Sequence, residues 1–301
     1  MVRVGSTEHR RFEKISCAEG FTFRDPENQQ AMHSSIGPSS EAELIFLAPS
    51  RIRERLAEAT SVPLVLWDVG MGIAGNSAPV WELALHGEEC RRPIEIHSFE
   101  KHPEALAQAV EDPVAFPFLT RQERSLRSLL DHGTTRIRVN GIDHQWQLHS
   151  GDFHELLRGS EHRIPPADLI YWDFYSPKVC PEHWSLELFR LVRDRAPRSL
   201  LYTYSAATPV RVALLLAGFS VGLPFSGDRA TPIKAESTMA AADWRDGAEI
   251  PRLLDQAWLE KLSRSTQFRP YGKSYWATEP GYPEIAAEIA ACRQFIVQVS
   301  P

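Results

Sequence analysis

A glycine-rich turn follows an apolar run in this sequence, and acidic residues mark the end of that run and of several later ones. The stretch Leu64–Asn76 reads LVLWDVGMGIAGN, with Asp68 near the end of the run and the literal pattern G-x-G-x-x-G at Gly70, Gly72 and Gly75. The ends of the later runs are marked by Glu100, Asp152, Asp173 and Ser205. In an open parallel sheet, ligands bind beyond the carboxyl ends of the strands, so these residues are predicted to share one site.

The charge of these residues favours one nucleotide-like ligand over another. Carboxylates would repel a pyrophosphate cofactor, although the glycine pattern by itself also fits a nicotinamide or flavin enzyme. S-adenosylmethionine carries no phosphate, and its sulfonium, ammonium, ribose and adenine groups suit carboxylates. The residues predicted to hold it are Asp68, Gly70, Gly72, Asn76, Glu100, Asp152 and Asp173. Glu100 is expected at the ribose and Asp152 at the adenine, with capping of the following helix as the alternative for Asp152.

These residues are positioned by strands that alternate with helices from residue 64 to residue 222. That alternation predicts an α/β, Rossmann-like fold with a mostly parallel, doubly wound sheet covered on both faces. The strands predicted after the first are Ile94–Phe99, Thr135–Asn140, His144–His149, Ala167–Trp172, Ser199–Tyr204 and Phe219–Val221. The predicted helices are Ser77–His86, Pro103–Val110, Thr120–His132, Phe153–Leu157, Pro181–Val192 and Pro209–Ala217. Asn140-Gly141 predicts a hairpin turn.

Shorter elements are predicted on both sides of this region. They are a strand at Phe21–Phe23, a helix from Glu41 capped by Ser39 or Ser40, a helix at Ile52–Ala59 and a helix at Pro283–Phe295. The predicted division is an N-terminal segment over 1–60, the Rossmann-like domain over 61–240 and a C-terminal extension over 241–301. We expect the extension to pack against the rest, because it contains Trp244, Trp258 and Trp276.

The composition excludes several classes of protein. The 301 residues are 43% hydrophobic and 24% charged, with a net charge of −6, which does not fit a general nucleic-acid-binding coat. Two arginine-rich segments, 121–138 and 190–198, are interpreted as solvated surfaces. The four cysteines show neither disulfide nor metal-ligand spacing, so no metal is predicted. With neither a signal peptide nor a membrane span visible, we expect a cytoplasmic protein.

Several motifs resemble those of a known family. Asp173–Trp184, DFYSPKVCPEHW, resembles the D-x-F-S-P-x-x-N-P-E-x-W signature of the methyltransferase domain of the bifunctional tRNA wobble-uridine enzyme, 5-methylaminomethyl-2-thiouridine methyltransferase. Tyr202–Phe219 is similar to its T-Y-S-A-A-G-x-V-R-R-x-L-x-x-A-G-F, and Met32–Leu47 to its H-S-x-x-G-A-x-x-E-A-x-x-V-F-L. Lys234–Glu236 is similar to its K-R-E, and the glycine loop to its G-x-G-x-G-x-N. These segments follow the family's order from about residue 20 to 240.

The sequence departs from the family pattern at a few positions. Cys180 replaces an asparagine, Thr208 a glycine and Val212 the second arginine. In the glycine loop, Ala74 stands where the family has its third glycine, and Gly75 is one place later. The first three departures lie near the expected substrate side, so they bear on the substrate more than on the cofactor.

The resemblance implies an S-adenosylmethionine-dependent N-methyltransferase acting on the aminomethyl group of a modified wobble uridine in tRNA. It implies a stand-alone form without the oxidoreductase half, and a partner oxidoreductase that acts upstream in the same modification. Three alternatives remain open at this point. They are a small-molecule or protein substrate on the same fold, a nicotinamide-dependent oxidoreductase, and a cofactor-binding subunit without activity.

Asp173 is the predicted catalytic residue. A carboxylate there would accept an N–H of the attacking amine, orient its lone pair and offset the positive charge that grows on nitrogen. The residues predicted at the substrate are Tyr175, Lys178, Trp184, Ser205, His33 and Glu41, with aromatic rings as a stacking face for a base. Lys178, Arg211 and Lys234 are candidates for contact with phosphate or carboxylate.

Overall fold

A computed structural model describes residues 12–159, 164–224, 237–243, 250–272 and 281–297 of the chain. Their strands are β1 (Glu13–Cys17), β2 (Gly20–Arg24), β3 (Leu64–Val69), β4 (Ile94–Glu100), β5 (Thr134–Val139), β6 (Ile142–Ser150), β7 (Leu169–Trp172), β8 (Leu200–Thr203), β9 (Ser220–Leu223), β10 (Thr238–Ala241) and β11 (Arg252–Leu253). Their α-helices are α1 (Pro38–Ala42), α2 (Ile52–Ala57), α3 (Ser77–His86), α4 (Glu104–Val110), α5 (Glu123–His132), α6 (Phe153–Arg158), α7 (Leu186–Arg195), α8 (Thr208–Leu216), α9 (Gln256–Leu262), α10 (Tyr282–Ala290) and α11 (Arg293–Val297). A π-helix covers Glu43–Leu47, and 3-10 helices cover Pro117–Gln122 and Pro181–Trp184.

The large sheet has the strand order β11-β9-β10-β8-β7-β3-β4-β6-β5. Its centre, from β8 to β6, is parallel, whereas β5, β9, β10 and β11 run antiparallel to their neighbours. Strands β1 and β2 form a separate hairpin. The predicted α/β fold with a mostly parallel sheet is confirmed, and so is the hairpin turn between β5 and β6 at Asn140-Gly141.

Hydrophobic cores lie on both faces of this sheet. All six residues of β3 are buried, as expected for a central parallel strand whose two faces are both covered. One core packs helices α3, α4 and α5 against the sheet and contains Trp81 and Leu106. The other packs α6, α7 and α8 against the opposite face and contains Phe153 and Phe189. The layers therefore hold the carboxyl ends of the central strands at one edge.

Strand β3 lies where the direction of winding reverses. The chain passes from β3 to β4 on one side, and it later returns to β7 on the other side. Loops that leave neighbouring strands in opposite directions open a crevice at their carboxyl ends. The glycine loop after β3 and the loop after β7, which begins at Asp173, both lead into that crevice.

The first helix begins earlier than the sequence predicts. It starts at Pro38 rather than near Glu41, and neither Ser39 nor Ser40 caps it. The carboxylate of Glu19, in the turn between β1 and β2, accepts hydrogen bonds from the backbone N–H groups of Ser39 at 2.8 Å and Ser40 at 2.9 Å. The predicted cap was wrong because a residue about twenty positions away supplies it.

Two predicted helices are each divided in the structure. The first four residues of Pro181–Val192 form a 3-10 helix, and α7 begins only after Ser185, whose Oγ accepts the N–H of Leu188 at 3.3 Å. The predicted helix Pro283–Phe295 consists of α10 and α11, with a break after Ala290. In both places the residue pattern fits one helix, whereas residues outside any helix interrupt it, Ser185 in the first and Ala291-Cys292 in the second.

The described part of the C-terminal region packs onto the large sheet. Strand β10 crosses the predicted domain boundary at residue 240, and β11 pairs with β9. The side-chain amide of Gln294 accepts the N–H of Val221 at 2.8 Å and donates to the carbonyl of Val221 at 3.1 Å. Trp258 is half-buried against the core that contains Phe153 and Phe189, whereas Trp244 and Trp276 lie outside the described residues. Of the helices described, none has the length and apolar character needed to cross a membrane.

A pair of histidines, the buried His97 and the half-buried His149, makes the stability of this sheet depend on pH. His97 Nδ1 lies 3.0 Å from His149 Nε2, and the two rings are nearly parallel. Burial, together with the charge of His149, lowers the pKa of His97 from 6.5 to about 4. The neutral form is therefore favoured by folding, so its stabilisation is present above pH 6.5 and is lost as the pH falls toward 4.

We expect the substitution His97→Gln to weaken this dependence on pH. Between pH 6.5 and 4 the wild type should lose up to about 3 kcal/mol of unfolding free energy more than the variant. Urea unfolding of both proteins at several pH values in that range measures the difference. His33 titrates in the same range, but it is common to both proteins and cancels. A constant difference across the range would contradict the prediction.

Candidate functional site

The glycine loop takes a backbone conformation that favours glycine at two positions. Gly70 has φ +82°, and a Cβ there would lie 2.8 Å from the carbonyl oxygen of Asp173. Gly72 has φ +54°, and its backbone N–H donates to the carboxylate of Glu100 at 2.8 Å. The loop therefore meets the ends of both neighbouring strands, β7 through Asp173 and β4 through Glu100.

Ala74 and Gly75 show whether the loop follows the literal G-x-G-x-x-G pattern or the G-x-G-x-G pattern of the resembling family. Ala74 is buried and has φ +61°, so it keeps the left-handed conformation at the position where the resembling family has glycine. Gly75 has no such φ, but a Cβ there would lie 2.5 Å from His33 Nε2. The third glycine of the literal G-x-G-x-x-G pattern therefore makes room for a histidine of the N-terminal segment.

Two acids line the crevice beside the loop. Asp68 is fully buried, and burial raises its pKa to about 6. Its Oδ2 accepts the hydroxyl of Ser98 at 2.9 Å, while its Oδ1 has no hydrogen-bond partner among the described residues. Burial also raises the pKa of Glu100, whose second oxygen accepts the N–H of His102 at 2.7 Å. Each carboxylate oxygen has two lone pairs, so both acids keep acceptor capacity for a ligand.

Asp173 stands directly across the crevice from the glycine loop. Asn76, which closes that loop, donates from Nδ2 to Asp173 Oδ2 at 2.8 Å. Removal from water is the main reason that the pKa of Asp173 is raised to about 8. Repulsion from Glu41 raises it further, whereas the hydrogen bond from Asn76 opposes the shift. A pKa near working pH suits a group that must take up or release a proton.

The backbone that carries Asp173 is fixed from several sides. The N–H of Asp173 donates to the carbonyl of Val69 at 2.9 Å, and the hydroxyl of Tyr204 donates to the carbonyl of Phe174 at 2.9 Å. Tyr204 was not among the predicted site residues, although it lies in the family-like segment Tyr202–Phe219. Its position directly after strand β8, which ends beside the site, is the sequence feature that could have indicated it.

The N-terminal segment covers the same crevice. The backbone N–H of Ser176 donates to Gln30 Oε1 at 3.0 Å, and the sulfur of Met32 would lie 3.5 Å from a Cβ on Gly72. His33 is buried, with Nδ1 3.0 Å from the hydroxyl of Thr22. Burial lowers the pKa of His33 to about 4, so the ring is neutral at pH 7. Gln30 carries no chemical motif in the sequence and could not have been predicted.

Two further predicted residues lie at the edges of the site. Asp152 caps α6, with Oδ1 accepting the N–H groups of His154 at 3.0 Å and Glu155 at 3.2 Å. The capping alternative is therefore observed, and Oδ2 lies 3.9 Å from His183 Nε2. Glu41 accepts the N–H of Ser34 at 2.8 Å and is close enough to Asp173 to raise its pKa.

Three predicted substrate contacts are placed differently by the structure. Trp184 is fully buried, and its Nε1 donates to the carbonyl of Tyr175 at 2.9 Å, so it supports the loop and offers no stacking face. Ser205 is buried and accepts the N–H of Ala207 at 3.4 Å, at the start of α8. Arg211 is also buried, where it donates from Nε to a threonine hydroxyl at 3.0 Å rather than facing an anion from solvent.

The remaining predicted positions are more open or lie elsewhere. Tyr175 is half-buried and Lys178 is exposed, both on the loop that follows Asp173. Lys234, predicted as an anion contact, lies outside the described residues. Ion pairs balance much of the first arginine-rich segment, since Arg121 pairs with Glu82 at 2.8 Å and Arg127 with Glu111 at 2.6 Å.

The glycine loop and the acids around it lie at the reversal of the sheet, and a comparison with known families gives the class of protein. Residues 122–238 match the profile of a family described as S-adenosyl-L-methionine-dependent methyltransferase. The chain is an S-adenosylmethionine-dependent methyltransferase, and the predicted cofactor is confirmed over the nicotinamide alternative.

Within that class, its similarity is to bifunctional tRNA-modification proteins. It is 30% identical over 208 residues to the tRNA 5-methylaminomethyl-2-thiouridine biosynthesis bifunctional protein MnmC of Burkholderia vietnamiensis, covering 66% of this chain and 31% of that protein. The protein of the same name from Stutzerimonas stutzeri is 26% identical over 236 residues, covering 76% of this chain and 34% of the relative. The chain thus spans about a third of the length of these curated relatives. The resemblance seen in the sequence is confirmed.

A solved structure agrees on the fold. MNMC2 from Aquifex aeolicus has a TM-score of 0.66 and 23% sequence identity, with 94% of this chain and 86% of that chain covered. The fold that positions the glycine loop and Asp173 is therefore found in a protein of similar length.

The residues of the crevice fit S-adenosylmethionine on their own chemistry. The free Oδ1 of Asp68 is a buried acceptor for an ammonium or a bridging water, and Glu100 can accept ribose hydroxyls. Gly72 leaves room at the loop surface for a ligand to approach the backbone. None of these groups would offset the charge of a pyrophosphate.

Proposed function

We propose that the chain transfers a methyl group from S-adenosylmethionine to the aminomethyl nitrogen of a modified wobble uridine in tRNA. The observation that carries this proposal is the hydrogen bond between Asn76 and Asp173, which joins the cofactor loop to the family-like signature loop. The similarity to the bifunctional tRNA-modification proteins supports the choice of acceptor.

The residues of the crevice account for the steps of such a transfer. The bound cofactor supplies an electrophilic methyl group on a positively charged sulfur. Asp173, as a carboxylate, accepts an N–H of the neutral amine and directs its lone pair into the crevice. As the new bond forms, nitrogen gains positive charge, which Asp173 and the nearby Glu41 offset. Asp173 then takes the proton that the methylated amine releases, which its raised pKa favours.

The same proposal extends to partners and location. We infer that tRNA is the macromolecular partner, that an oxidoreductase acts upstream on the same nucleoside, and that the reaction takes place in the cytoplasm. The exposed Lys178, on the loop beside Asp173, is a candidate phosphate contact. The role of substrate contact remains a prediction for Tyr175, Lys178, His33 and Glu41.

Methyl incorporation from labelled cofactor into bulk tRNA tests the acceptor. We expect label in tRNA that carries the aminomethyl group but lacks its methyl group, at a single modified uridine after digestion to nucleosides and chromatographic separation. Fully modified tRNA is the control and should take up little label. If the enzyme binds the cofactor but transfers label to neither tRNA sample, the tRNA proposal is overturned.

A second candidate is a methyltransferase with a small-molecule or protein acceptor. Two observations favour keeping it: the net charge is −6, and ion pairs balance much of the first arginine-rich segment. A nucleic-acid substrate would make binding weaken steeply with salt, whereas a small neutral acceptor would not. The salt dependence of tRNA binding therefore separates the two candidates.

We expect cofactor binding to release a proton from Asp173. Its pKa is raised to about 8, so at pH 7 it is mostly protonated, and a cationic ligand favours the carboxylate. The apparent affinity should rise with pH by at most about tenfold per unit and level off above pH 8. Calorimetry in two buffers of different ionisation enthalpy counts the released protons. Asp173→Asn should lower that count, and an unchanged count would contradict the assignment.

A further inference from the structure

Three donor side chains of different kinds converge on the loop that follows Asp173. They are the thiol of Cys180, the carboxylate of Glu182 and the imidazole of His183, and their donor atoms all lie within 4.8 Å of one another. Sulfur, carboxylate oxygen and imidazole nitrogen are the ligands that Zn²⁺ takes in proteins.

The ring of His183 is held in an orientation that gives its two nitrogens different surroundings. It stacks on Phe174 with 4.1 Å between centroids and 9° between planes. Nε2 lies 3.9 Å from Asp152 Oδ2, and Nδ1 lies 3.9 Å from Glu182 Oε1. Nδ1 is buried and has no hydrogen-bond partner among the described residues. A metal-binding histidine commonly has a carboxylate near one ring nitrogen and the other nitrogen free for the ion, and a shift of the Asp152 carboxylate by less than about 1 Å would bring it into hydrogen-bond distance of Nε2.

We propose that Cys180, Glu182 and His183 bind a divalent transition-metal ion, with Zn²⁺ as the best match, and that Asp152 orients His183 for this role. Ligand bonds of about 2.0–2.3 Å around a tetrahedral ion would bring the donors to about 3.5 Å from one another. The side chain of Glu182 is 65% exposed and free to rotate inward. Three protein ligands leave one position open, at the edge of the cofactor crevice.

The local charges suit a dication. Glu182 and Asp152 carry negative charge beside the Cys180 thiol, while Lys101 is the positive group that acts on both the thiol and His183. Cysteine binds a metal as the thiolate, so metal binding must displace the thiol proton of Cys180. The sequence pattern predicts no metal because it contains no repeated cysteine or histidine spacing, whereas each donor type occurs once here.

Titration with Co²⁺ tests the proposal on the full chain without cofactor or substrate. The chelator-treated protein should develop the near-ultraviolet charge-transfer absorption of a thiolate–cobalt bond, and Zn²⁺ should displace it. Cys180→Ser should abolish that absorption. Asp152→Asn keeps the helix cap but removes the carboxylate charge that lies 3.9 Å from His183 Nε2, and it should weaken Co²⁺ binding by about 10–100-fold.

The half-buried Cys90 provides the matched control, since Cys90→Ser removes a thiol far along the chain and should leave the absorption unchanged. Circular dichroism checks that each variant is folded. Absence of the charge-transfer absorption in the wild type would overturn the proposal, and so would its persistence in Cys180→Ser. Because the readout is optical and uses no methyl acceptor, it stands apart from the tRNA assay.

Discussion

Replacing Asp173 by asparagine is expected to lower kcat by about 10²–10⁴-fold, because the amine then loses its proton acceptor. Asparagine keeps the shape of the side chain and an oxygen that can accept the Asn76 hydrogen bond, which measures 2.8 Å in the wild type. Affinity for the cofactor should fall by no more than about tenfold, since the wild-type carboxyl is already largely protonated at pH 7. Single-turnover methyl transfer and calorimetry with S-adenosylmethionine measure the two effects separately.

The exposed Asp143, on the β5–β6 hairpin, is a suitable control for the change of charge. Its carboxylate lies 3.7 Å from Arg138 at the surface, and Asp143→Asn should alter neither turnover nor cofactor affinity. Wild-type turnover by Asp173→Asn would remove Asp173 from the chemistry. Loss of cofactor binding as well as turnover would assign the residue to the cofactor alone.

The sheet and the position of the crevice could be predicted from the sequence because both follow from local patterns. The alternation of apolar runs with helical segments gives the parallel centre, and an acid after a buried run identifies the carboxyl end of a strand. Asp68, Glu100 and Asp173 were found in this way, and hydrogen bonds to Gly72 and Asn76 now join two of them to the glycine loop.

The remaining features depend on contacts between distant segments, which local patterns do not contain. Glu19 caps a helix some twenty residues further along, and Gln30 holds the loop at Ser176, 146 positions away. Trp184 could equally have been a stacking face or part of the core, since an aromatic residue fits both until the packing is known. The spacing of Gly75 fits a dinucleotide-binding pattern by coincidence. The structure shows instead that the absence of a side chain at Gly75 makes room for His33.

Replacing Gly70 by alanine is expected to reduce turnover by at least about 10²-fold, because it displaces the backbone that carries Asp173. The new Cβ would lie 2.8 Å from the carbonyl oxygen of Asp173, and backbone atoms cannot give way as a flexible side chain can. The left-handed conformation, φ +82°, adds about 1–2 kcal/mol of strain to the folded state. Urea unfolding and methyl transfer measure the two effects.

Gly141 is the control that separates the collision from the backbone strain. It has the same φ of +82°, in the β5–β6 turn, and no atom lies within 4 Å of the position of a Cβ. Gly141→Ala should therefore carry the conformational strain without the collision, and it should lose stability while keeping turnover. Equal losses of turnover in the two variants would mean that strain alone explains Gly70. If Gly70→Ala loses far more, the close approach between the glycine loop and Asp173 sets the geometry of the reaction, and the first glycine of the loop serves the catalytic residue as well as the cofactor.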